Sequence, residues 1–371
     1  MRASLCSILT IVFLCTAVPC SAVDIETQMG FRYRAWSSDD DESGYQIYLP
    51  VYLRGARDQL SWGIVAGYAY TSGDLEGEDR SISGILDTQL NVAYTLKQIG
   101  GFDWLIGMDV NVPTGKTNRD FRDLRIMLDP DLVWIVSPGQ GLNFNPFINL
   151  ARRWNAWTFG LGAGYAFQGK YDYSTDYPDY DPGDILNVAA EILYAWQSGW
   201  QARFFGQYAT FGKDELRGED LLQRGDTVLV GAGLQYKQPA YALALTLQSI
   251  NRSKTEYSQS AQTAIGADAR NSYGNEWLAD LGGRYKFSPA TTAGATVSFL
   301  HIESNDDDQL YIGQRTKAAL LLDIHHQLYE RVQVQAGLEG FIIEDDPSWR
   351  HPLEDRSYRG WSISLSASTR F

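Results

Sequence analysis

The sequence predicts an all-β fold: one transmembrane antiparallel β-barrel of about sixteen strands, with fourteen or eighteen as the even alternatives. Three observations predict it. Apolar and polar residues alternate along nearly the whole chain beyond its N-terminal segment, with almost no helical period. The connections between alternating segments are by turns short and long, as periplasmic turns and extracellular loops are. No apolar run of about 18 residues follows the N-terminal segment, which excludes spanning helices but not a barrel, whose strands are only half apolar.

The N-terminal segment reads as a secretory signal. Arg2 supplies the positive charge, Leu5 to Pro19 the apolar stretch, and Ser21-Ala22 the small residues for cleavage. Residues 1–22 are therefore expected to be removed, leaving 23–371 as a single barrel domain. Cys6, Cys15 and Cys20 all lie in the removed part, so the mature chain is expected to carry no disulfide, thiol or cysteine-held metal. Pro19 disfavours lipidation at Cys20, because it occupies a position that wants a small residue. Losing Arg2 takes the formal charge from −14 to about −15. That acidic balance argues against a nucleic-acid partner.

The strands follow in order. Ile25, Thr27, Met29, Phe31 and Tyr33 form one face of the first, with Glu26, Gln28, Arg32 and Arg34 on the other. The second sets Tyr45, Ile47, Leu49, Val51 and Leu53 against Gln46, Tyr48, Tyr52 and Arg54. The third carries Leu60, Trp62, Ile64, Ala66, Tyr68 and Tyr70 on one face. Further strands begin near Ile82, Phe102, Leu142, Trp157, Ile185, Trp200, Thr227, Tyr241, Glu276, Thr292, Thr316, Val332 and Arg359. One segment threatens the even count: DLRIMLDPDLVWIV, between Arg122 and Val136. As a strand it would make seventeen and put the later long loops on the wrong side. It is therefore placed in a long Pro113–Gly141 loop, with a helical turn, folding into the lumen.

The last strand turns Trp361, Ile363 and Leu365 to lipid and Ser362, Ser364, Ser366 and Ser368 inward. It has to pair with the first strand, because an open edge in lipid leaves backbone groups unsatisfied. Phe371 falls on the lipid side, where an aromatic suits the membrane interface. It resembles the C-terminal signature by which barrel-assembly machinery recognises such proteins.

The same register makes the opposite faces polar. Lumen-lining candidates are Arg32, Arg34, Arg54, Asp87, Asp109 and Glu191, continued by Arg203, Asp280, Arg284, Lys286, Asp323 and Glu339. Both signs occur, which allows pairing across strands. Sixteen strands enclose more space than side chains fill, so an aqueous pore is expected. Thr158, Gly160, Gly162, Gly164 and Ala166 leave one strand face nearly bare. The long loop is expected to fold over that wall, with Arg125, Asp129 and Asp131 as constriction charges. The competing reading is that these glycines only ease strand curvature.

The outer loops are acidic, notably at Asp39–Glu42, Asp172–Asp184, Asp306–Asp308 and Glu344–Asp346. Carboxylate clusters hold Ca²⁺ or Mg²⁺ when several oxygens converge. Asp179, Asp181 and Asp184 are weak candidates only, because DYDPGD lacks the spacing of a Ca²⁺-binding loop. No resident metal or cofactor is expected, and divalent ions are read as bridging diffusely to lipopolysaccharide. An acidic mouth concentrates cations at low salt, so weak cation selectivity is expected. His301, His325, His326 and His351 come without a nucleophile motif, so no enzyme is expected.

The stretches ISGILDTQLNVAYTL, DVNVPTGKTN, FGLGAGYAFQGKYDYS and DYDPGDILNVAAEILY resemble the strand boundaries of outer-membrane porin-like proteins. They are most similar to the transporter family of the phenol-degradation MetA type, a group that resembles hydrophobic-compound channels such as FadL. The likeness runs over about Ile82–Tyr194. It implies the outer membrane of a Gram-negative cell and uptake of small compounds, with aromatic ones as one candidate class. The residues themselves leave three readings open. These are a passive channel for small solutes, a substrate-specific channel for small hydrophobic or aromatic compounds, and a structural barrel serving as adhesin or sheath for a partner protein. Expected partners are outer-membrane lipid and lipopolysaccharide, the assembly machinery and small solutes. A homo-oligomer stays open, as trimers are common among sixteen-stranded porins but no subunit contact is legible.

Overall fold

The computed structural model describes residues 24–75, 77–258, 274–305, 311–348 and 354–371. The expected signal segment lies outside these residues, as do Asp306–Asp308 and His351. Sixteen antiparallel strands wind in chain order and close on themselves. They are β1 (Asp24–Ser38), β2 (Ser43–Arg57), β3 (Leu60–Leu75), β4 (in two pieces, Glu78–Ile85 and Thr88–Ile99) and β5 (Phe102–Val112). After the long loop come β6 (Asn143–Trp154), β7 (Trp157–Gln168), β8 (Ile185–Ala195), β9 (Trp200–Phe211), β10 (Thr227–Lys237) and β11 (Tyr241–Arg252). The barrel is completed by β12 (Glu276–Lys286), β13 (Thr291–Ile302), β14 (Arg315–Tyr329), β15 (Val332–Asp345) and β16 (Arg356–Arg370). No described helix is long and apolar enough to cross a membrane; the chain crosses with strands.

Closure runs through β16 and β1, paired from Glu26–Arg370 to Ser38–Tyr358. Phe371 extends the ladder, its N–H donating to the Ile25 carbonyl at 2.9 Å. Outward residues such as Val92, Leu161, Phe204, Leu245, Leu281, Leu322 and Leu365 are exposed and form the lipid-facing belt. Aromatic pairs mark both rims. Trp157–Tyr194 (4.5 Å between centroids), Trp200–Tyr236 (4.7 Å) and Tyr285–Phe287 (4.9 Å) sit at the short-turn end. Tyr33–Trp361 (5.2 Å) and Tyr33–Tyr45 (5.8 Å) lie toward the long-loop end.

β4 is expected near Ile82 as one strand and is instead broken at Leu86–Asp87. The cause is the long loop. The Asp87 carboxylate accepts from Gly115 N–H (2.8 Å), Gln140 N–H (2.6 Å) and the Asn111 amide (2.7 Å). Interrupting the ladder aims one side chain at both stems of that loop. Buried apolar residues follow the same logic. Leu132 packs with Trp36, Phe341, Ile343 and Tyr358, while Ile126 and Met127 pack with Ile82. The core is the seam between the infolded loop and the barrel wall.

A second, four-stranded sheet caps the long-loop end. It orders Glu256–Tyr257, Glu219–Gln223, Lys213–Leu216 and Tyr180–Asp181, drawn from three different loops. Tyr180, Leu221 and Leu222 form its core, with Tyr171, Tyr173 and Tyr177 against them. Buried Asp214 ties it together, accepting from the Tyr180 hydroxyl (2.5 Å) and Gly183 N–H (2.8 Å) and pairing with Arg224 at 3.3 Å. Burial, then the Asp214 charge, hold the Tyr180 phenol well above its ordinary value. Burial, with Tyr173 and Asp214 nearby, raises Tyr171 likewise.

Candidate functional site

The loop between β5 and β6 begins its inward course with a single helical turn, Phe121–Leu124. Asp120 caps it, its carboxylate accepting from Arg122 N–H at 2.8 Å. A 3-10 turn follows at Arg125–Met127. This is the segment that the even strand count removes from the barrel wall. Beyond it, Trp134 and Ile135 dock on the lumenal side of β2. There the Gln46 side-chain oxygen, Oε1, accepts from Trp134 N–H (3.0 Å) and Ile135 N–H (2.9 Å).

The constriction candidates sit differently from expectation. Asp131 is buried, with Arg315 Nη1 at 3.1 Å and Lys317 Nζ at 3.3 Å. Asp129 lies 2.8 Å from Arg315 Nη1, and Asp345 lies 2.6 Å from Arg315 Nη2. The Asp129 and Asp131 carboxylates anchor the loop to β14 rather than pointing into an open passage, while Asp345 holds the same guanidinium from β15. Arg125 opens the 3-10 turn, half-buried. The supporting wall is also different. The loop packs on β1 to β4 and β14 to β16, not on the glycine face of β7. The atoms nearest Gly160, Gly162 and Gly164 belong to strand neighbours such as Glu191, Asn149 and Asn145. The Asn149 and Asn145 side chains lie over Gly162 and Gly164, so the neighbouring strand rather than the loop covers this face.

The strand candidates fall into three groups. Arg34 and Glu339 lie under the loop, 2.5 Å apart, with the Arg34 guanidinium 4.5 Å over the Trp134 ring. Asp87 holds the loop stems. Several others pair along the wall: Arg203 Nη2 with Glu191 at 2.6 Å, Asp280 with the Ser298 hydroxyl at 2.5 Å, and Asp109 with the Asn91 amide at 2.5 Å. Arg32, Arg54, Arg284 and Lys286 form the third group, with Asp323 between Arg284 (3.7 Å) and His325 (2.9 Å). Arg54 lines a lumenal cavity of about 780 Å³ together with Glu26, Gln89, Asn91, Asp109 and Asn145.

The weak metal candidates are each engaged separately. Asp184 accepts from the Tyr165 hydroxyl (3.0 Å) and Gln168 N–H (2.9 Å), Asp181 pairs with Lys170 (3.5 Å), and Asp179 N–H donates to Asp172 (3.1 Å). His301 and His326 lie near Thr316 and Thr291, at 3.3 and 2.9 Å. Gln46 is the residue that sequence reading passed over. Its inward face follows from alternation, but nothing local signals a partner some 89 positions away.

A closed even-stranded barrel, an apolar belt between aromatic rims and a polar lumen narrowed by its own loop define a transmembrane barrel of the outer-membrane channel type. A family model described as "Putative MetA-pathway of phenol degradation" matches residues 16–241. The chain belongs to this family. A comparison with curated proteins finds no match. Among solved structures, OccK7 (OpdD) of Pseudomonas aeruginosa shares 11% identity at a TM-score of 0.49, over 94% of this chain and 100% of that one. OccAB1 of Acinetobacter baumannii shares 11% at 0.48, over 94% and 97%. Outer-membrane expressed OmpT of Vibrio cholerae shares 9% at 0.44, over 95% and 99%.

Proposed function

We propose that this chain is an outer-membrane channel for passive passage of small solutes, its width set by the infolded loop. The carrying observation is the one-sided docking of that loop. It is fixed by Gln46, Arg315 and Asp87, and it leaves elsewhere in the lumen a cavity of about 780 Å³ whose lining includes Glu26, Arg54, Gln89, Asn91, Asp109 and Asn145. Polar walls and unfilled volume are what a hydrated path needs. The acidic outer loops give it a weak preference for cations at low salt. The test is conductance in planar bilayers. The chain should form steady channels, and deleting Arg122–Val136 should raise the single-channel conductance. Absence of channels would sink the reading, and an unchanged conductance in the deletion would sink the constriction. Reversal potentials under a KCl gradient should favour potassium weakly.

A second reading, a channel specific for small hydrophobic or aromatic compounds, is favoured by family membership and by aromatic faces inside the lumen. Tyr48, Tyr52 and Trp134 all lie against arginines there. Saturable current block by an aromatic solute is its expected signature.

A further inference from the structure

Most arginines on the lumenal wall are matched to carboxylates: Arg34 to Glu339, Arg203 to Glu191, Arg252 to Glu276 and Arg315 to Asp345. Arg32 is an exception. Among the described residues it has no acidic partner, and its guanidinium lies only against the rings of Tyr48 (5.8 Å) and Trp134 (6.0 Å). It lines a recess of about 230 Å³, into which Arg284 reaches from β12 and His325 from β14. The recess holds one carboxylate, Asp323. His325 Nε2 stands 2.9 Å from it without hydrogen-bond alignment, and Arg284 is 3.7 Å away, beyond hydrogen-bond reach. Arg284 is 57% exposed, so its donors face the lumen. Apart from the imidazole, the recess therefore carries two fixed positive charges, Arg32 and Arg284, against one negative. Ser364, Ser366 and Gln28 add further donors, and Tyr52 supplies an aromatic face.

Guanidinium groups present forked donors that fit a carboxylate, and such charge-assisted bonds are the stronger kind. We propose that this recess is a seat for a small aromatic carboxylate in transit. Its carboxylate lies between Arg32 and Arg284, and its ring lies against Tyr52. The acidic mouth acts on all ions through a screened long-range field, whereas this seat acts at contact distance, so the two coexist. The inference deepens the channel reading by naming a solute class. It rests on that reading for transport but not for binding.

The experiment is calorimetric titration of the full barrel in detergent with sodium benzoate and with benzamide, its neutral near-isostere. Benzoate should bind saturably, and benzamide at least about tenfold more weakly, as expected for loss of charged hydrogen bonds. Arg32→Gln and Arg284→Gln should each weaken benzoate about tenfold or more while leaving benzamide unchanged. Arg57→Gln, at the exposed end of β2, should change neither. The heat-dependent gel shift of a folded barrel checks each variant. The wild-type benzoate–benzamide contrast needs no variant at all. Equal binding of the two probes, no binding of benzoate, or benzoate binding unchanged in folded variants would overturn the proposal. A barrel that binds benzoate but carries no current would keep the seat and sink the channel. One that conducts but ignores benzoate would do the reverse.

Discussion

Gln46 shows how one side chain can hold a long loop. It is 0% exposed, and its amide also donates to Thr71 Oγ1 (2.8 Å) and the Ile135 carbonyl (3.0 Å). Gln46→Leu leaves the Trp134 and Ile135 amides without their acceptor, at about 1–3 kcal/mol for each stranded group. Hydrogen exchange should then lose protection at those two amides while the strands stay protected. Retained protection would place the anchor elsewhere. Asp131→Asn leaves Arg315 and Lys317 with excess buried charge, a loss on the order of 3–5 kcal/mol in loop docking. Its channels should be larger or noisier than wild type, and identical traces would count against the anchor. Sequence reading found Asp129 and Asp131 as charges near a constriction but assigned them to the passage. Alternation tells which way a strand residue points. It cannot tell which wall a loop residue meets, because that depends on docking across the barrel.

The strands were legible because two solvents, lipid outside and water inside, enforce a period of two along each one. The starts read at Phe102, Trp157, Ile185, Trp200, Thr227, Tyr241, Glu276 and Val332 coincide with observed strand starts. The capping sheet was not legible. Tyr180–Asp181 and Glu256–Tyr257 are too short to show a period, and GKYDYSTDYPDYDPG reads as a solvated acidic loop. Its tyrosines instead make a small core, which gives the cap its own pH dependence. Tyr180 and Tyr171 are raised by burial, so the folded cap keeps them neutral at a pH where an opened cap ionises them. Their stabilisation is complete below the ordinary phenol value of about 10 and is lost as pH rises above it. Trypsin cleavage at Lys213 and Arg217 should therefore accelerate from about pH 9 to 11 beyond the enzyme's own pH response, read on an unstructured peptide. The barrel itself should remain folded. A flat normalised rate would show that the tyrosine core does not hold the cap.

At the scale of the whole molecule, the barrel depends on a seam between residues more than three hundred positions apart. Ser364–Arg370 pair with Glu26–Arg32 on one side, and Ser364–Thr369 with Val332–Gly337 on the other. Removing Ser364–Phe371 leaves both neighbours with unpaired N–H and C=O groups, each costing several kcal/mol in hydrocarbon. No rearrangement within a single chain repairs this, since every other described barrel strand already has two partners. The truncated chain should give no compact, heat-modifiable band after refolding into lipid vesicles. Phe371→Ala is the informative comparison. It keeps the backbone pairing of residue 371 with Ile25 and removes only the outward ring, 44% exposed. That variant should refold in vesicles to nearly the wild-type yield. If both variants fail alike, the ring itself is needed for closure. If both fold alike, the terminal ladder is dispensable, and the seam must be held higher up, toward Trp361 and Tyr358.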